Sequence, residues 1–147
     1  MSRHGYLDEE DRPGQFALYA QRVRNAARGK RGQAWLRELL AALDAMPVKE
    51  LAAHTVASRG ECCAVGALAI HRGIDLTEIT YDDRYDEEAQ GDRTTEWLAK
   101  QFDVANCLLR DVVYENDEGG KWDETPAHRW TRMRALVARL VKEEQKP

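Results

Sequence analysis

Apolar residues recur at helical spacing over most of the chain and divide it into segments. Phe16, Tyr19, Ala20 and Val23 predict a first helix beginning at Gly14, and Gly29 and Gly32 interrupt that pattern. Trp35, Leu36, Leu39, Leu40, Leu43 and Met46 form one broad stripe opposite Arg37, Glu38 and Asp44. Pro47 closes this second helix, because the residue before a proline avoids helical geometry. Leu51 to Ser58 mixes helix-favouring Ala with Thr55 and Val56 and reads as a short strand or irregular extended piece, turning at Ser58-Arg59-Gly60. Cys62 to Ile70 is small or apolar on every side. A segment with no face for water belongs inside, so it predicts a buried central helix from about Cys62 to Arg72, stopped by Gly73.

Asp75-Leu76-Thr77-Glu78 has the form of a capping box and predicts one short turn. Tyr81 to Asp92 is strongly acidic and reads as a surface loop. Helical spacing returns at Trp97, Leu98 and Phe102. Asp103 is then expected to cap a further helix carrying Val104, Leu108, Leu109, Val112 and Val113, which frays into Asn116-Asp117-Glu118-Gly119-Gly120. Thr125-Pro126 opens the last helix, with Trp130, Met133, Leu136, Val137, Leu140 and Val141 as its stripe. The fold class is mainly α: a compact single-domain helical bundle of about six helices around the buried central one, with at most a minor extended element. The domain spans 14–141, between flexible tails at 1–13 and 142–147. Trp35, Trp97, Leu108 and Trp130 should gather round the central helix.

Composition narrows the class. A length of 147 residues, 43% of them apolar and 33% charged, suits one water-soluble domain with a real core and excludes a disordered chain. The formal net charge of -4 excludes a molecule that is basic overall and binds nucleic acid generically. No apolar run approaches the roughly 20 residues that span a bilayer, and no secretion leader is expected. Three cysteines, two of them adjacent, do not form a secreted disulfide framework, so a reducing cytoplasm is expected.

The chemical candidates begin with Cys62 and Cys63, which could ligate a metal with His54, His71 or Cys107. No C-x-x-C pair supports that reading, and free cysteines commonly pack as small hydrophobes. A catalytic thiol would need a base held against it, and Glu61 beside the pair would raise the thiol pKa. The acidic stretches lack the spacing of a calcium loop. Thr94 to Tyr114 has the outline of a helix-turn-helix, but Asn106 and Arg110 are set against Asp111, Glu115 and Asp117. Basic residues cluster on the first and last helices, and such polarity suits docking to a partner or self-association. The partner-binding candidates are Arg22, Arg24, Arg28, Arg31, Arg129 and Arg132 on those helices, Asp82, Asp83, Asp86, Asn116, Asp117 and Glu118 in the acidic segments, and Trp122. No catalytic constellation and no cofactor motif is recognisable.

Several stretches together resemble a set of small uncharacterised tailed-phage and prophage proteins. Gly60-Glu61-Cys62-Cys63-Ala64-Val65-Gly66-Ala67 is similar to their G-x-x-C-[CA]-x-G core. Gly32-Gln33-Ala34-Trp35-Leu36-Arg37-Glu38-Leu39-Leu40-Ala41-Ala42-Leu43-Asp44 resembles the helix before it. Tyr114-Glu115-Asn116-Asp117-Glu118-Gly119 and Thr125-Pro126-Ala127-His128-Arg129-Trp130 resemble the segments after it. The likeness runs from about Gly29 to Val141, with the acidic Tyr81 to Gly91 stretch as the expected departure. It implies an accessory protein of a phage or prophage acting in bacterial cytoplasm, and it carries over no functional residue. The expected function is non-enzymatic binding of a host or phage protein, with inhibition of a host defence system as its sharpest form. A small DNA-binding regulator using the helix-turn-helix-like pair or the basic terminal helices, and a metal- or thiol-dependent protein using Cys62 and Cys63, are the alternatives. A homodimer and a nucleic acid are the further partner readings, and no membrane is expected.

Overall fold

Six helices and one two-stranded hairpin make up the structure, a computed structural model that describes residues 13–79 and 84–142. The helices are α1 (Pro13–Arg28), α2 (Lys30–Ala45), α3 (Ala64–Arg72), α4 (Glu87–Phe102), α5 (Asn106–Glu118) and α6 (Pro126–Leu140). The strands β1 (Ala57–Ser58) and β2 (Glu61–Cys62) pair antiparallel, Ala57 with Cys62 and Ser58 with Glu61. A single 3-10 turn, Leu76–Glu78, follows α3, with the Asp75 carboxylate accepting from the Thr77 N–H.

The expected central helix is central. Ala64 to Ala69 are all buried, and α3 packs between α2 and α5. Leu36, Leu39, Leu43, Leu108, Leu109, Val112, Met133 and Val137 complete the core around it. Full burial of such side chains is worth about 1.5–3 kcal/mol each. Trp35 is inside this core, whereas Trp97 and Trp130 pack half-buried against its edge.

The helix nevertheless begins two residues later than its apolarity suggests. Arg59 (φ 52°) and Gly60 (φ 81°) form the two-residue turn of the hairpin, with both residues left-handed as a type I′ turn requires. Cys62 is therefore on β2, and Cys63 stands at the N-cap of α3 in extended geometry. Gly66 is required by a close approach: a Cβ there would lie 1.9 Å from the Val56 carbonyl oxygen. Gly32 does not interrupt α2 but sits in its first turns, where a Cβ would lie 1.8 Å from the Ala26 carbonyl oxygen. It lets the ends of α1 and α2 meet closely.

Three further boundaries differ from the apolar pattern. Asp103 does not open α5. It ends α4 in the left-handed conformation (φ 52°), its N–H bonded back to Ala99 and Lys100, and Ala105 precedes α5 without a side-chain cap. The acidic stretch is helical from Glu87, with the Asp86 carboxylate accepting from Ala89 N–H; residues 80–83 lie outside the described residues. Asn116 to Glu118 belong to the intact last turn of α5, and Asn116 is fully buried.

α2 and α6 run antiparallel and define two ends. At one end Gln33 donates to the Ala27 and Leu140 carbonyls and accepts from Lys142 N–H. At the other, Trp130 Nε1 donates to the Leu43 carbonyl and Arg134 pairs with Asp44. Thr125 caps α6 by accepting from His128 N–H, with Pro126 at its first position.

Candidate binding surfaces at the two ends of the bundle

The Cys62-Cys63 stretch is held from outside itself. No side chain of α3 or Cys63 caps the helix. The buried Asn116 of α5 does so, its Oδ1 accepting from Ala64 N–H at 3.1 Å, while its Nδ2 donates to the Ala52 carbonyl and to Asp117 Oδ1. Asp117 also accepts from His54 N–H and holds that residue left-handed at φ 62°. Asn116 and Asp117, expected to face a partner, instead tie α5 to the chain on both sides of the hairpin. Burial pushes the Cys62 and Cys107 thiols up, and the wholly buried Cys63 thiol up to about 12. A thiol so raised is protonated and unreactive at neutral pH. Among the described residues no group of three His, Cys, Asp or Glu is placed to hold a metal ion.

The other charged candidates divide in the same way. Arg129 and Arg132 are not on an open basic face. Both reach the buried Glu124 carboxylate, Arg132 at 2.7 Å and Arg129 at 3.3 Å, with His128 at 2.8 Å. Hydrogen bonding by Arg132, more than any other cause, holds the Glu124 carboxyl down at about 2. Arg129 also donates to the Leu51 carbonyl and Arg132 to the Glu115 carbonyl. The T-P-A-H-R-W segment thereby fastens α6 to the chain that enters the hairpin. The helix that a helix-turn-helix would put in a groove, α5, is enclosed: Glu118 is its single exposed residue. Asp82 and Asp83 lie outside the described residues.

Two open surfaces stand at the ends of α2. At the first, a groove of about 390 Å³ lies between the C-terminal end of α2, the chain from Met46 to Ala52, the hairpin and α3. Its walls include Ala42, Met46, Val48, Leu51, Ala67 and Ile70, with Glu50, Glu61 and His71 exposed at its rim. Val48 is 60% exposed and Ile70 58%. Pro126 borders the same groove and follows the α5–α6 loop, whose Trp122 is 98% exposed. Two of the three non-glycine residues with positive φ among the described residues, His54 and Arg59, belong to this end; their backbones are held where an L-residue is strained.

At the second end, α6 finishes against the junction of α1 and α2. The Lys142 ammonium donates to the Arg28 carbonyl at 3.3 Å, and Arg37 donates to the Lys142 carbonyl at 3.2 Å. Arg22, Arg24, Arg28, Lys30 and Arg31 are exposed here, Arg31 facing Asp103 at 3.4 Å.

Val48 and Ile70 are absent from the sequence-level candidates. Ile70 was hidden inside an apolar run that reads as uniformly buried, and Val48 is a lone residue after Pro47. No pattern along the chain signals that the two border one groove. No protein-family model, curated protein or solved structure matches this chain.

Proposed function

We propose that this protein is a non-enzymatic binding module that takes an apolar side chain of a partner protein into the groove between α2 and α3. The observation that carries the reading is the pair Val48 and Ile70, large apolar side chains left more than half exposed on the walls of a formed concavity. Exposed apolar surface of this kind carries a cost in water that a partner removes. Trp122 supports the same end as an interface, because a fully exposed tryptophan is a frequent anchor of binding energy. The clustered ionisable side chains also favour binding over catalysis: Glu124, Arg129, Arg132, Asp117 and Asp44 are engaged in holding the fold. The resemblance to phage and prophage accessory proteins supports a host or phage protein as the partner, including a component of a host defence system.

The test is capture from bacterial lysate by the immobilised wild-type chain beside Val48→Asp/Ile70→Asp and Trp122→Ala variants of unchanged circular dichroism. One protein should be retained by the wild type and lost from the double variant, with Trp122→Ala weakened about tenfold or more, as a hot-spot residue would be. Equal retention by all three removes the groove as the docking site.

A further inference from the structure

The end away from the groove has a chemistry of its own. α2 is 16 residues long, so its ends stand about 24 Å apart at 1.5 Å per residue. Round its N-terminal half stand Arg24 and Arg28 of α1, Lys30 and Arg37 of α2, Arg139 of α6 and Lys142 just beyond that helix, the last two more than a hundred positions from the first four. Lys142 bonded to the Arg28 carbonyl, and Arg37 bonded to the Lys142 carbonyl, place these segments at one corner. No carboxylate of a described residue pairs with any of the six. From Pro13 to Arg37 the chain contains no Asp or Glu at all. The sequence shows the basic clusters of the first and last helices; the fold brings their ends together at this corner.

We infer that this corner binds the phosphate backbone of duplex nucleic acid. Three observations favour nucleic acid over an acidic protein. Arginine supplies four of the six cations named above, and its fixed fork of donors fits phosphate oxygens. The exposed surface of α1 interleaves the amides of Gln21 and Asn25 with Arg24 and Arg28, joined by an Arg24–Gln21–Asn25 hydrogen-bond chain. Amide and guanidinium groups together contact phosphates and base edges. The corner also lacks the apolar anchor that a protein interface needs: among the described residues the exposed large hydrophobics are Phe16, Leu18, Val48, Ile70, Tyr85 and Trp122, and the two on α1 stand six or more residues before Arg24. The net negative charge is distant from this corner in part: Glu87 and Glu88 lie about 22–24 Å along α4 from the Asp103 end that meets Arg31, more than two Debye lengths of about 8–10 Å at ordinary salt, Asp92 is paired with Arg110, and Glu96, about 10 Å from that end, is the nearest acid of the helix.

The inference stands apart from the groove and is tested apart from it. A short fluorescent duplex of mixed sequence is titrated with the full chain, which continues from Lys142 into Glu143 and Glu144, at a series of salt concentrations. Binding at low salt should weaken linearly in log–log form with a slope of roughly -3 to -5, the mark of several phosphate contacts. Arg24→Glu/Arg28→Glu and, separately, Lys30→Glu/Arg139→Glu should each lower affinity at least tenfold, while Trp122→Ala leaves it unchanged. Absence of binding at low salt overturns the inference, as does binding that neither pair weakens. Salt-sensitive self-association without duplex binding overturns it as well, because the corner would then dock the acidic surface of a second copy.

Discussion

Asn116 serves the N-terminus of α3 from 52 positions away and the Ala52 carbonyl from 64. Asn116→Ala leaves the buried Ala64 N–H and the half-buried Ala52 carbonyl without this partner, at about 1–3 kcal/mol for a buried unsatisfied group. Urea unfolding should show a loss of at least about 2 kcal/mol. Asn116→Asp should not rescue it, since aspartate keeps the acceptor but cannot donate to Ala52. Glu124 gives the complementary case in charge. Its carboxyl is lowered from 4.5 to about 2 in the folded protein, so its contribution is complete above 4.5 and is lost as pH falls towards 2. Unfolding midpoints measured across that window should fall in the wild type and fall less steeply in Glu124→Gln. The variant should also be less stable by roughly 3 kcal/mol at neutral pH, because two guanidinium groups lose a buried partner. Neither role was legible along the chain. Asn116 and Glu124 stand among other acids and amides of a polar stretch, and only tertiary contact distinguishes a buried member from its exposed neighbours Glu118 and Asp123.

Elements were legible where packing wrote its period into them. α2 and α6 bury one stripe each, so their apolar spacing, the proline after α2 and the Thr125-Pro126 start located them. The first turns of α4 bury nothing. Glu87 and Glu88 are exposed, and the only local signals are the Asp86 cap and acids in the first turn, which a solvated loop would equally carry. Asp103 was ambiguous for a physical reason: aspartate suits both an N-cap and the left-handed end of a helix. The two roles predict opposite outcomes. With Asp103 at the end of α4, Asp103→Gly should leave thermal stability unchanged or raise it by up to about 1 kcal/mol, since glycine enters φ 52° without strain. An N-cap would instead lose a few tenths of a kcal/mol or more. The hairpin follows the same logic. Arg59→Asn should stabilise it, because asparagine tolerates the left-handed first position of a type I′ turn better than arginine.

At the scale of the molecule, the most distinctive sequence is the least available surface. Gly60 turns the hairpin, Gly66 admits Val56, and Cys63 is sealed beneath the Asn116 cap. The same applies to Gly32, Gln33, Thr125 and Arg129, all engaged in closing the bundle. These stretches keep the two ends of α2 apart and shaped, one apolar and concave, the other basic. No described helix is long and apolar enough to cross a membrane. The claim to test is that the cysteine motif builds the scaffold and the groove makes the contact. The direct measurement is equilibrium binding of the partner captured by the wild type to two folded variants, Cys63→Ala and Val48→Asp/Ile70→Asp. Cys63→Ala should bind within about threefold of wild type, a difference under 1 kcal/mol, and the groove variant should lose at least about a hundredfold, near 3 kcal/mol. Full binding by the groove variant, or its loss in a folded Cys63→Ala protein, would contradict it.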